Sequence, residues 1–382
     1  MATLTDRGFS LYAGGPFHSL FRRLHLLTSA GEPRITWVVG IAWLPLMVGS
    51  LLRIALGFRA NPMVLDLSIH ARFLVALPLL LVSTRLLDAQ TRGVVRVLYG
   101  AELADPGEVD KVLASAVKLR DNGWVELALA VVALTLGQLG LWGVLGPTGV
   151  VHGMERHTEW TFARVWYGTL SFPLLQFLSL RWFWRWVIWT VVLVRMSRLP
   201  LAAIASHPDH AAGLSCFAWP VAGYLWYVAA LSSVLSGAWA SQLIDHRITV
   251  PSLGPTVATL IVVTAIVGYG PLLVFTPMLY AVKRNDLAKN MLLGYDYIRR
   301  FNVKWLPSPR DEQLLGTPDI QSLNDLGSAF QVVLLTRLTV FDIPRMRNLV
   351  IAVVLPMLPL VATIVPLQSV IRRLASAILP GV

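Results

Sequence analysis

Charge is what this sequence has least of. Asp, Glu, Lys and Arg make up 14% of its 382 residues, where a soluble chain usually carries about 25%. Acidic residues are the scarcer sign, 21 against 32 Lys and Arg, which leaves a formal net charge of +11. A single cysteine, Cys216, excludes an intrachain disulfide, a Cys-based zinc site and a CxxC redox pair. Also missing are a P-loop, a Gly-x-Ser-x-Gly elbow, an HExxH pair and a dinucleotide fingerprint. No motif therefore marks the chain as an enzyme or calls for a cofactor. The first 30 residues hold Arg7, Arg22 and Arg23 with no apolar run leading to a small-residue cleavage site. A cleavable signal peptide is not expected, and the first span is expected to serve as the insertion signal.

What is present is apolar surface in long runs. Hydrophobic residues form 55% of the chain, and the mean hydropathy is +0.64. The charges stand at the edges of runs longer than globular helices sustain, which predicts an all-α, polytopic transmembrane helix bundle of about seven spans (six to eight). The spans fall near 35–55, 67–88, 125–145, 165–194, 215–244, 254–282 and 348–369. The second is the least clean, because Arg72 and Arg85 flank an apolar stretch of only Phe73–Thr84. The fourth, at about 45 Å, exceeds the ~30 Å hydrocarbon layer and must tilt or project. The last contains Pro356, Pro359 and Pro366, so a re-entrant course is its alternative.

Two polar inserts, 91–123 and 283–347, interrupt the spans. Each holds a helix start with an N-cap followed by proline: Asp105-Pro106-Gly107-Glu108 and Thr317-Pro318-Asp319. Phe17–Leu27 reads as an amphipathic helix lying at the headgroup level. With the N-terminus inside, 24 of the 32 Lys and Arg fall on the cytoplasmic side, as the positive-inside bias requires. That topology accounts for the surplus charge, so nucleic acid is not expected as a partner and the lipid bilayer is.

The candidate ligand or pore residues are Arg181, Arg185, Gln176, Arg72 and Glu126. Arg181 and Arg185 share one helix face, with Trp182, Trp184, Trp186 and Trp189 around them. Intramembrane arginines suggest an anion site or an anion-selective pore. The preferred alternative is an interfacial belt of Trp and Arg against lipid headgroups. Arg53 and Arg72 read as snorkelling to the outer leaflet. Glu126 and Asp88 read as structural ion-pair partners for Arg85 or the Arg181 pair, with a proton or cation path as the alternative.

Ser206-His207-Pro208-Asp209-His210 is the one cluster of metal-ligand types. His207, Asp209 and His210 are weak candidates, since only three ligands occur and Pro208-Asp209 equally suits the start of the fifth helix. Val267-Gly268-Tyr269-Gly270 invites comparison with a potassium-channel filter, but Pro271 follows at once and no pore helix stands beside it. Gly268, Gly270 and Pro271 are read instead as a hinge that kinks the sixth span.

Four segments carry a resemblance: Phe172-Pro173-Leu174-Leu175-Gln176-Phe177 with Leu180-Arg181-Trp182; Ser206 through Leu214; Gly270-Pro271-Leu272-Leu273-Val274-Phe275; and Leu315 through Leu323. Through them, over roughly residues 120–380, the chain resembles a family of uncharacterised bacterial integral membrane proteins with a His-Pro-Asp-x-Ala-x-Gly-Leu segment. The resemblance implies a bacterial inner-membrane location and points to the 206–214 and 315–323 loops, which are expected to meet on the cytoplasmic side. It transfers no activity. Two functions are expected from the residues themselves: a channel or transporter for a small ion, favouring anions and assembling as a homo-oligomer, or a scaffold or sensor whose cytoplasmic helices bind a protein partner.

Overall fold

The computed structural model describes residues 9–28, 31–57, 63–141, 161–244, 248–306 and 318–362. Among them the chain is an all-α bundle of ten helices. These are α1 Pro16–Arg23, α2 Ile35–Ala55, α3 Leu67–Gly100, α4 Pro106–Arg120 and α5 Gly123–Leu141, then α6 Phe162–Met196, α7 Ser215–Ile244, α8 Val250–Trp305, α9 Pro318–Leu335 and α10 Ile343–Leu360. Six of them (α2, α3, α6, α7, α8 and α10) are long and apolar enough to cross a membrane. Among the described residues a seventh crossing arises if α4 and α5, bent by 41° where they join, form one span. The chain is thus a multi-pass membrane protein by its helices.

Proline positions explain the irregular turns. Proline has no N–H to give the carbonyl four residues back. Helix α3 widens into a π-helical turn at Ala71–Ala76, just before Pro78, and α6 does the same at Tyr167–Ser171, before Pro173. In α8, Pro271 instead tightens Gly270–Phe275 into a 3₁₀ turn. Carbonyls freed in this way need donors from neighbouring helices.

Helices α3 and α7 form the central pair, and the reason is side-chain size. Gly223, Ala230 and Gly237 recur every seventh residue on one face of α7. A Cβ on Gly223 would stand 2.7 Å from the backbone N of Leu87, and one on Gly237 would stand 2.5 Å from the Ala71 Cβ. Small residues let two backbones approach this closely, which in lipid substitutes for the missing hydrophobic drive.

The helices do not end where the polar inserts were expected to start. Helix α3 continues through position 91 to Gly100. Likewise α8 runs on to Trp305, well into the insert expected from 283. The helix start at Pro106 stands where expected, and the Asp105 carboxylate accepts from the backbone N–H of Glu108 at 3.1 Å; α9 is described from Pro318, and the expected cap Thr317 lies outside the described residues. The amphipathic N-terminal helix does not lie free on a surface. It buries Phe21 and packs Phe17 on Phe177, ring centroids 4.3 Å apart. Residues 142–160, with His152 and His157, and the end of the last span beyond 362 lie outside the described residues.

Candidate functional site

The most concentrated chemistry lies where α5, α6 and the N-terminal segment meet. Glu126 stands in the first turn of α5, and Arg181 and Arg185 come from successive turns of α6. Arg181 Nε donates to Glu126 Oε1 at 2.9 Å, and Arg185 Nη2 donates to the same oxygen at 3.1 Å. The other oxygen, Oε2, accepts from the backbone N–H of Phe17 at 2.9 Å. All three side chains are 3–4% exposed. This corrects the interfacial-belt reading: the arginines face inward, away from lipid headgroups. Further donors go to carbonyl oxygens, Arg181 to Gly14 at 3.2 Å and Arg185 to Arg120 at 2.9 Å, while Arg185 Nε is buried without a hydrogen-bond partner.

Residues 9–15 form a strap across this cluster, and no periodicity or motif marked it in the sequence. Asp88 anchors one end, its Oδ1 accepting from Ser10 Oγ at 2.6 Å and from the Tyr12 N–H at 3.0 Å. The Tyr12 ring lies 5.0 Å from the Arg181 guanidinium, a cation–π contact. Gly14 and Gly15, at φ 150° and 83°, are required there. A Cβ on Gly15 would stand 2.8 Å from Glu126 Oε1. Two guanidiniums against one carboxylate leave a positive surplus. His18 registers it, its pKa held below the ordinary value by burial and then by Arg181, Arg22, Arg120 and Arg185. Asp88 does not meet Arg85. It pairs with Arg92 at 2.8 Å, while Arg85 reaches Glu32 at 3.3 Å.

Arg72 corrects a second expectation. It is fully buried and does not snorkel. Its guanidinium donates to the Tyr167 hydroxyl, so the π-helical turns of α3 and α6 meet through their own side chains. Tyr167 stacks on Phe172 at 5.6 Å, and the Arg72 guanidinium lies 5.6 Å from the same Phe172 ring. Beside this contact is a cavity of about 280 Å³ between α5, α6, α7 and α8, with Leu136, Leu175, Leu231 and Leu260 among its apolar walls. Arg72, Gln176 and Ser179 supply its polar groups. The Gln176 Oε1 is buried there without a hydrogen-bond partner.

The Ser206–Leu214 segment is a loop, not a helix start. Pro208 opens no helix, and α7 begins only at Ser215. The backbone turns left-handed at His210, Ala212 and Gly213, φ 52°, 56° and 84°. That curl aims three N–H groups at Asp209: Ala211 at 2.9 Å and Gly213 at 3.0 Å on Oδ1, and Ser215 at 3.1 Å on Oδ2. Both carboxylate oxygens thus accept from the backbone, with Oδ1 also 2.9 Å from His207 Nδ1, and among the described residues no group of three His, Cys, Asp or Glu is placed to hold a metal ion. The loop meets Arg337, whose N–H donates to the His210 carbonyl at 2.7 Å. The described part of the 315–323 segment packs instead on the far end of α8, where the Tyr297 hydroxyl donates to the Asp319 carbonyl at 2.8 Å. Among the described residues the two segments are therefore held by different elements.

Burial works against the Asp209 carboxylate, but the N–H donors of Gly213, Ala211 and Ser215 outweigh it and bring its pKa down to about 2. Because the folded value lies below the unfolded one, the stabilisation is complete above the ordinary value of 3.8 and disappears as pH falls from there towards 2. Asp209→Ala is expected to cost about 2–3 kcal/mol at neutral pH, through three orphaned N–H groups. Urea unfolding of the purified protein in detergent measures this, and wild type and variant should converge as the pH approaches 2.

The glycines of α8 divide into two kinds. Gly268 is a close-approach position: a Cβ there would stand 2.4 Å from the Tyr224 ring. Gly270 has open space, its nearest neighbour being an Ile266 methyl at 4.0 Å. Pro271 leaves the Val267 carbonyl without its helical donor, and Trp186 Nε1 takes its place at 3.0 Å. The Tyr224 hydroxyl similarly donates to the Thr264 carbonyl at 2.8 Å. Gly268→Ala should therefore destabilise by about 1–3 kcal/mol, as overpacking does. Gly270→Ala should be neutral or slightly stabilising, the reverse of what a working hinge would give. Thermal unfolding of the two variants separates these outcomes.

The bundle defines the class, a multi-pass α-helical membrane protein. No family model, curated protein or solved structure matches the chain.

Proposed function

We propose that this is a membrane-anchored docking protein, in which the spans hold a helical hairpin that binds a protein partner in the aqueous phase. The observation that carries this is α8. Its 56 residues would extend about 84 Å as a straight helix, far beyond a ~30 Å hydrocarbon layer. The part from Lys283 onward bears Arg284, Asp286, Lys289, Asp296, Arg299, Arg300 and Lys304, too many charges for lipid. Helix α9 packs back along it, with Asp319 accepting from Lys304 at 2.9 Å and from Trp305 Nε1 at 3.0 Å.

This hairpin exposes large apolar side chains in the segment that carries the charges: Leu292 at 73%, Tyr295 at 75% and Val303 at 72%. Between the helices runs a groove of about 340 Å³, lined by Met291, Gly294, Ile298, Leu326, Gly327 and Phe330. An apolar groove between charged helices, outside the bilayer, suits a partner's apolar side chains. The distribution of Lys and Arg supports the cytoplasm as that aqueous side. A photo-crosslinking side chain at Leu292 or Tyr295 should give one discrete protein adduct that Phe330→Asp abolishes. No adduct at either position, or the same adduct from Val262 within the membrane, would overturn the proposal.

One observation favours a second reading, passage of a small ion or solute: the intramembrane cavity at Arg72, Gln176 and Ser179. Arg181 and Arg185 do not support it, being committed to Glu126 and to backbone carbonyls. Liposomes holding the protein should then show flux above empty vesicles, reduced by Gln176→Leu. Absence of flux for the small anions and cations tested removes this reading.

A further inference from the structure

A second cleft lies between α3, α7 and α10, apart from both the arginine cluster and the hairpin. It has a volume of about 230 Å³ and is lined by Gln90, Trp219, Arg345 and Asn348 over an apolar floor that includes Ala222 and Leu225. One of its donors is buried without a partner. Arg345 Nη1 is buried without a hydrogen bond, and its nearest carboxylate, Asp342, is 3.9 Å from Nε, beyond hydrogen-bond reach. The Arg345 N–H, by contrast, is capped by Asp342 Oδ1 at 3.2 Å, so the cap holds the arginine's backbone and leaves its guanidinium for something else.

The cleft stands at the level where the helices pass from polar to apolar. On α3 the uncharged stretch Phe73–Thr84 gives way to Arg85, Asp88, Gln90 and Arg92. On α10 Arg345 and Arg347 precede Leu349, Val350 and Ile351. On α7 Trp219 stands at the start of a long uncharged run, the position that interfacial tryptophans take. A guanidinium and two side-chain amides, set over an apolar floor beside an interfacial Trp, match a phosphate group with carbon chains attached below it.

We infer that this cleft binds the phosphate headgroup of an anionic phospholipid, with Arg345 as its charged contact, Gln90 and Asn348 as hydrogen-bonding contacts, and the first acyl carbons over Ala222 and Leu225. The bound lipid would bridge α3, α7 and α10. Basic pockets between spans select such lipids over zwitterionic ones by charge.

The test uses the full-length protein in nanodiscs of equal phosphatidylglycerol and phosphatidylcholine, followed by native mass spectrometry of the retained lipid. Wild type should retain phosphatidylglycerol at least fivefold over phosphatidylcholine. Arg345→Gln should bring the ratio to about one, Arg345→Lys should keep part of it, and Arg284→Gln on the projecting hairpin should leave it unchanged. An unchanged ratio in Arg345→Gln, or equal retention of the two lipids by wild type, would overturn the inference. Displacement of the lipid by millimolar inorganic phosphate would overturn the lipid assignment in favour of a free anion. Should Arg345→Gln fail to fold, a photoactivatable phosphatidylglycerol on the wild-type protein decides. Adducts on 218–225 or 345–348 support the site, and adducts confined elsewhere refute it.

Discussion

Glu126→Gln should destabilise the folded protein by about 3–5 kcal/mol, the cost of leaving a buried charge without its partner. Both Arg181 and Arg185 donate to one oxygen of this carboxylate, and each is nearly inaccessible. The neutral amide keeps the volume but leaves two guanidiniums with no counter-charge, and an NH₂ group would face them or the Phe17 N–H. The strap should loosen as well, because Glu126 Oε2 is what holds Phe17 to α5. Two measurements check this. Tryptophan fluorescence during denaturant unfolding in mild detergent should show the loss of stability, and limited proteolysis should cut near residues 9–17 much faster. Removing the charges together should restore much of the loss, so Glu126→Gln with Arg181→Met and Arg185→Met should be more stable than Glu126→Gln alone. A single variant as stable as wild type would show that the cluster is not a structural lock.

The second large effect is expected at Gly223→Val, with a loss of about 3 kcal/mol or slightly more, at the upper end for overpacking. At most positions a neighbouring side chain can rotate aside. Here the added carbon would meet the Leu87 backbone, N at 2.7 Å and Cα at 2.9 Å, so α7 would have to move off α3 as a body. The contacts that follow along the same face, at Ala230 and Gly237, would be lost with it. Gly254→Val on α8 is the control, since a Cβ there meets nothing within 4 Å. Unfolding curves of the two variants should differ by most of the predicted amount. Equal curves would show that the close approach of α3 and α7 contributes little.

The spans were legible because lipid makes local sequence sufficient: a charge-free run near 20 residues has few alternatives to a membrane helix. The start at Pro106 was legible for a similar local reason, an N-cap followed by a proline that needs no N–H. Helix ends were less so. Positions 91 and 283 marked the expected start of polar inserts, yet a polar residue does not stop a helix, and α3 and α8 continue past them. Asp209 was visible as a chemical group, but not its use. That depends on three N–H groups being brought round by left-handed turns, which the residue types do not announce.

By itself, the sequence determined that this is an all-α membrane protein, about how many times it crosses, and the motif-level chemistries it does not carry, because hydropathy and motif spacing are local properties. Only the tertiary structure decided what its scarce charges do. In the sequence Arg181 and Arg185 read better as lipid-facing than as inward-facing, since tryptophans crowd around them as in an interfacial belt. The deciding partner, Glu126, lies 55 residues earlier on another helix. Arg72 likewise needed Tyr167, 95 residues away, to be seen as buried rather than snorkelling. In a chain with so few charges, each buried one must find a partner or neutralise, and which partner it finds is a matter of how the helices pack.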